Sequence, residues 1–334
     1  MVRYVRPVSR ATATGTVAQI YEQMRREFGV HAEPIALHSP APDVMAGVWS
    51  ACRETLVAGG RVDRPSKEAV ATTVSYLNRC PFCVDAHAVM LAATGNHRAA
   101  RAIDRGQRDR IGDARLERLV EWAMATRRPG ARELRDPPFD GDEAPELMGT
   151  AMLFHYINRP VSVFLEESPL PIQGRVLKGG LLRLAAWRFR PYANREPGPG
   201  ASLALLPEAE LPEDMRWAAG SPVIAGVWAR LTQAVESAGA AALPEDARAA
   251  VTRALWAWSG EDPGLGTQWI DDALGELDAS SRPAGRLALL AALAPYRVDE
   301  ATITAYRDGR PDADVIGAVA WGALAAARRI GAWV

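Results

Sequence analysis

The chain has 334 residues, 48% apolar and 24% charged, with 39 lysines and arginines against 40 aspartates and glutamates. That length supports two domains and a well-formed core, and a formal net charge of -1 argues against a general affinity for nucleic acid or anionic membrane. Residues 1–10 carry three arginines with no apolar run behind them, and the apolar stretch at 315–327 is shorter than the roughly 20 residues a bilayer span needs, so a cytoplasmic protein without a membrane partner is expected.

The predicted elements are helical throughout. Val17, Ile20, Tyr21, Met24 and Phe28 fall on one face of a helix that Gly29 would end. Cys52 stands three residues after Trp49 and reads as a buried apolar thiol, with a third redox thiol as the alternative. Pro65-Ser66 opens a helix that runs to Leu77, and Leu116, Leu119, Val120, Ala123 and Met124 repeat the periodic pattern. Residues 177–189 form a basic amphipathic helix with Lys178, Arg183 and Arg188, followed by Arg190. It is expected to connect and pack across two domains rather than to bind an acidic partner. Residues 190–200 read as a loop or linker, and 315–327 as a buried helix. No run alternates as a strand would, so the fold class is all-α.

An internal repeat organises these helices. Ala46-Gly47-Val48-Trp49 recurs as Ala225-Gly226-Val227-Trp228, a shift of 179, each copy preceded by a Ser-Pro pair. The expected division is a first domain at 1–170, a linker at 171–209 and a related second domain at 210–334. All three cysteines and all five histidines lie in the first domain. At the same shift Glu68, Cys80, Cys83 and His87 meet Ala247, Ser259, Asp262 and Gly266, so the second domain is expected to be scaffold, lid or built-in partner.

The chemistry concentrates in one segment. If Cys80 caps a new helix, Pro81 occupies its first position, where a missing N–H costs nothing. Cys80 and Cys83 are then one turn apart, near the positive end of the helix dipole, which favours thiolate. His87 follows Cys83 by four residues on the same face and can exchange a proton. Glu68 on the preceding helix would reach His87 or Cys80 if the helices pack antiparallel, and partial burial would raise its pKa. Zinc is an alternative, with Cys80, Cys83, His87 and either Glu68 or His97 as ligands; two inert core thiols are another. Tyr76, His38, His155 and Tyr156 are secondary candidates for the site.

A glutamate twelve residues before CxxC and a histidine four after it resemble the signature of AhpD-type alkylhydroperoxidases, in the carboxymuconolactone decarboxylase-like superfamily. The matching residues are Glu68, Cys80, Cys83 and His87, with Asn78 also fitting. The resemblance implies an AhpD-like helical fold, assembly as a homo-oligomer, and reduction of a small peroxide by the cysteine pair. In that scheme Cys83 attacks the peroxide, Cys80 supplies a proton and closes the disulfide, and His87 and Glu68 relay protons. The spacing alone would allow the reverse order of the cysteines. No bound cofactor or metal is implied. The disulfide would be reduced by an external dithiol such as dihydrolipoamide, delivered by a partner protein, and a peroxiredoxin can be a client. Phe82 stands where some founding members carry a second histidine, which thins the relay. The alternatives are a cofactor-independent decarboxylase or isomerase of the same superfamily, and a non-catalytic stress-response module.

Overall fold

The computed structural model describes residues 2–165 and 175–334, with side chains from residue 180 onward in the second stretch. Among the described residues every regular element is helical, and the one extended pairing is an isolated bridge between Val2 and Leu165. The fold is all-α, as the periodicity predicts. No helix among the described residues is long and apolar enough to cross a membrane.

The first part of the chain forms α1 (Gly15–Glu27), α2 (Glu33–Ala36), α3 (Pro42–Cys52), α4 (Arg64–Leu77), α5 (Pro81–Ala93), α6 (His97–Asp104), α7 (Ala114–Ala125), α8 (Arg132–Arg135) and α9 (Ala144–Phe164). After α10 (Arg175–Ala193) come α11 (Pro222–Ala242), α12 (Glu245–Ala257), α13 (Gln268–Leu274), α14 (Arg282–Leu293), α15 (Glu300–Arg307) and α16 (Asp312–Gly331).

Helix α4 is the centre of the first bundle. Asp63 caps it by accepting from the Ser66 N–H at 2.9 Å, and Pro65 sits in its first turn. Ten of its residues from Ser66 to Ser75 are buried, because α5, α6, α7 and α9 surround it. The buried hydroxyls of Thr72, Thr73 and Ser75 donate to the carbonyls of Glu68, Ala69 and Ala71, so no polar side chain among these three is left unsatisfied. Helix α16, built from the buried stretch expected at 315–327, is the equivalent centre of the second bundle and packs on α11, α14 and α9.

The two Ala-Gly-Val-Trp motifs face one another. They lie on α3 and α11, which pack together, and Trp49 and Trp228 are both fully buried. The missing side chain of Gly47 allows the approach: a Cβ there would stand 2.8 Å from the Leu231 Cα.

Helix α10 departs from the sequence reading in two ways. It runs through Pro191 to Ala193, so part of the stretch read as a loop is helix. It packs on α5 rather than across the two bundles, because Ala185 and Phe189 face that helix and the cavity beside it. Leu184 and Trp187 stay exposed. The side chain of Lys178 lies outside the described residues.

Replacing Gly47 by Val overfills the α3–α11 contact. The variant is expected to lose about 1–3 kcal/mol of stability, read as a lowered thermal midpoint. An unchanged midpoint would mean that the contact is not close-packed.

Candidate functional site

The site begins at the turn between α4 and α5. Asn78 ends α4, and Arg79 takes the left-handed conformation at φ 54°. The Cys80 N–H donates to the Ser75 carbonyl at 3.0 Å and the Arg79 N–H to the Tyr76 carbonyl at 3.1 Å, the paired bonds of a Schellman motif. Cys80 is then also the N-cap of α5, with Pro81 at the first helical position, as the sequence predicts. One residue closes one helix and opens the next, which fixes where both cysteines stand.

Glu68 lies on α4, fully buried, and its two oxygens have different partners. Oε1 accepts from Arg64 Nε at 2.7 Å, and Oε2 meets His87 Nδ1 at 2.8 Å. The expected approach of Glu68 to His87 is therefore direct. The expected rise in its pKa is not found. Burial pushes the carboxyl up, but Arg64 and His87 together outweigh it and hold Glu68 below the usual carboxylate value. Arg64 was not among the sequence candidates, although it stands four residues before Glu68, one helical turn away. An ionised Glu68 fixes the proton of His87 on Nδ1 and leaves Nε2 as the nitrogen open to chemistry. The imidazole is held edge-on against Phe154, with ring centroids 4.5 Å apart.

Both cysteines are free thiols and almost fully buried. They are hydrogen-bonded to each other, and their environments differ. Burial pushes the Cys80 thiol up. Hydrogen bonds from the Cys83 thiol and backbone N–H, Ser162 and Asn158 more than offset this, so its pKa falls below the ordinary value. Burial pushes the Cys83 thiol well up, and the adjacent Cys80 raises it further. The pair shares its charge unequally, with the thiolate favoured on Cys80. Asn158 and Ser162, one turn apart on α9, are site residues that local spacing did not reveal.

A cavity of about 350 Å³ opens on one side of the pair. Cys83 and His87 line it, and Cys80 does not. Its walls are mostly apolar, with Phe28, Ile35, Trp49, Phe82, Met90, Leu153, Phe154, Ile157 and Phe189 among them. Phe82 thus takes part as an apolar wall. Cys52 also lines this cavity, where burial pushes its thiol up to about 12, so it is protonated at neutral pH.

The secondary candidates lie elsewhere. His38 is buried, with Nδ1 donating to the Pro34 carbonyl at 3.0 Å and Nε2 accepting from the Tyr156 hydroxyl at 3.0 Å. Burial lowers its pKa to about 4, so it is a neutral core histidine. His155 is held by Asn78 at 3.2 Å and Thr126 at 2.8 Å, and burial with Arg159 and Arg127 nearby keeps it neutral. Asn78 serves this packing, bonding also to Asn158 at 3.0 Å. Tyr76 is 40% exposed and turns toward Gly106. Among the described residues no group of three or more His, Cys, Asp and Glu side chains is arranged to hold a metal ion, so the zinc alternative has no ligand set there.

The family model of the carboxymuconolactone decarboxylase family matches residues 42–103, which span α3 to α6 and hold Glu68, Cys80, Cys83 and His87. The chain is also 39% identical, over 339 aligned positions, to a Mycobacterium tuberculosis protein named alkyl hydroperoxide reductase. That alignment covers 100% of this chain and 95% of the relative.

The Glu68 geometry sets a pH signature. A carboxyl held below its unfolded value of about 4.3 contributes its full stability above that pH and loses it as the pH falls through the folded value. Glu68→Gln should cost about 3 kcal/mol or more near neutrality, since it strands a buried Arg64. The gap between wild type and variant should narrow on acidification below about pH 4.3. Denaturant unfolding from pH 7 to 3 checks this; a gap that stays constant would mean Glu68 is not ionised in the fold.

Proposed function

The chain belongs to the carboxymuconolactone decarboxylase family, with an AhpD-like fold, and from that premise we propose that it is a thiol peroxidase that reduces alkyl hydroperoxides through its Cys80–Cys83 pair. One observation carries the reading: two hydrogen-bonded thiols stand side by side, and the one that faces an apolar cavity shares it with a histidine held by a buried glutamate. The name of the Mycobacterium tuberculosis relative points the same way.

The proposed cycle assigns each group a task. Cys83 passes its proton to the Cys80 thiolate and attacks the distal peroxide oxygen. The O–O bond breaks, Cys83 becomes a sulfenic acid, and the Cys80 proton moves to the departing alkoxide to give the alcohol. Cys80, again a thiolate, attacks the Cys83 sulfur, the S–S bond forms and hydroxide leaves. The cycle uses the imidazolium form of His87, stabilised by Glu68: its Nε2 proton turns the hydroxide into water, and one of the two protons that the dithiol later brings restores it. A dithiol of the dihydrolipoamide type then returns both cysteines to thiols, reaching Cys83 from the cavity.

The apolar walls favour a hydroperoxide with a hydrocarbon body over hydrogen peroxide, because the organic group leaves water on binding. A decarboxylase would leave the paired thiols without a task.

Treatment with one equivalent of cumene hydroperoxide should remove two thiols from the wild type. In Cys80→Ser it should leave a sulfenic acid on Cys83 that a dimedone probe captures. Unreactive thiols, or a sulfenic acid that forms only on Cys80 in Cys83→Ser, would overturn the assignment. His87→Ala should lower turnover by about 100-fold, the low end of what a positioned acid or base contributes, and should also lower the unfolding midpoint, because Glu68 Oε2 loses its partner.

A further inference from the structure

A second, smaller cavity of about 40 Å³ lies between the two bundles, lined in part by Asn158, which also bonds Cys80. Residues before α10 contribute Asn78, Arg79, Arg127, Asn158 and Arg159 to it. Residues after α10 contribute Asp262, Leu293, Pro295 and Tyr296. Three guanidinium groups therefore face one carboxylate.

That carboxylate is already engaged. Asp262 accepts from Arg79 Nη1 at 3.1 Å, from the Tyr296 hydroxyl at 2.8 Å and from the Gly264 N–H at 3.0 Å. Neither inner arginine forms a contact ion pair among the described residues, although the Asp262 charge partly offsets that of Arg127. Arg127 directs Nε and Nη2 at the Gly260 carbonyl, at 3.0 and 2.8 Å, and leaves Nη1 without a hydrogen-bond partner among the described residues. Arg159 is 5% exposed. It directs Nε at the Ala292 carbonyl at 2.7 Å and Nη1 at the His155 carbonyl, and its Nη2 likewise has no such partner. His155, being neutral, adds no further positive charge.

Carbonyl dipoles satisfy part of each guanidinium but do not neutralise a buried Arg159 and a half-buried Arg127 set near one another. The strain is visible in both: burial lowers the pKa of Arg159 to about 9, with Arg127 adding to the effect, and burial lowers that of Arg127. A cavity with spare N–H donors, excess positive charge and little room calls for a small anion. Its volume is about three times the ~10–15 Å³ one water requires, which fits a compact oxyanion and excludes a nucleotide.

We propose that this cavity binds a small inorganic oxyanion of the phosphate or sulfate class, held by Arg127 and Arg159 from inside and by Arg79 at the mouth. Tyr296 closes the opposite lip. Arg79 has a side chain that is 79% exposed, so the mouth is open to solvent and the anion can exchange. The ligand joins residues of both bundles and therefore clamps them together. The site does not depend on the peroxidase reading, and its occupancy can be measured without turnover.

The test uses the full chain and inorganic phosphate, with sodium chloride adjusted to hold ionic strength constant. Calorimetric titration should give saturable one-site binding, and the thermal midpoint should rise along the same saturation curve. Sulfate should compete. Arg79→Ala, which changes an exposed side chain, should weaken binding about tenfold. Arg127→Gln should abolish binding, and if that variant does not fold, Arg79→Ala together with Tyr296→Phe decides the matter. Absent or non-saturating binding overturns the proposal. So does equal binding by wild type and Arg79→Ala, which would place the phosphate elsewhere.

Discussion

The arrangement of the site rests on one buried carboxylate. Glu68 has no exposure to solvent, and an ion so placed is costly unless both oxygens are met. Arg64 meets one from a turn earlier on α4, and His87 meets the other from α5. The first contact keeps the charge on Glu68. The second ties the two helices together and gives the imidazole its orientation. Without the arginine, burial would weigh more heavily toward the neutral acid.

The same two helices divide the work between the cysteines. Cys80 belongs to the turn, where the Cys83 N–H, Asn158 and Ser162 offset its burial. Cys83 stands one turn into α5, facing the cavity. The sulfur best able to hold a charge is therefore not the one a substrate in the cavity meets. In the proposed cycle the hydrogen bond between them lets the charge move to Cys83, so exposure to substrate and stabilisation of thiolate need not coincide at one atom. Helix α10 completes the wall, since Phe189 and Ala185 close the cavity over α5.

What the sequence revealed follows the range of each interaction. Helices, caps and the α4–α5 turn were legible because they depend on residues within one or two turns. The sequence brings Glu68 to the site only on the condition of antiparallel packing and leaves His87 and Cys80 both open as its partner; the structure selects His87. The direction of the Glu68 pKa differs from the sequence expectation because Arg64, one turn away on the same helix, offsets burial. Asn158 and Ser162 reach Cys80 from α9, more than 70 residues along the chain, and no local pattern marks them. The position of α10 was misread for a related reason: amphipathicity says that a helix has a face to bury, not what it buries it against. His38 and His155 looked available in sequence, and each proves to be satisfied by core partners.

The division of labour between the cysteines is the central claim, and thiolate absorbance near 240 nm tests it most directly. Wild type, Cys80→Ser and Cys83→Ser would be titrated with pH under reducing conditions. A thiolate that forms at lower pH in wild type and Cys83→Ser than in Cys80→Ser is the predicted result. A thiolate that forms at lower pH in Cys80→Ser than in Cys83→Ser would contradict it, placing the more acidic thiol on the sulfur that faces the cavity.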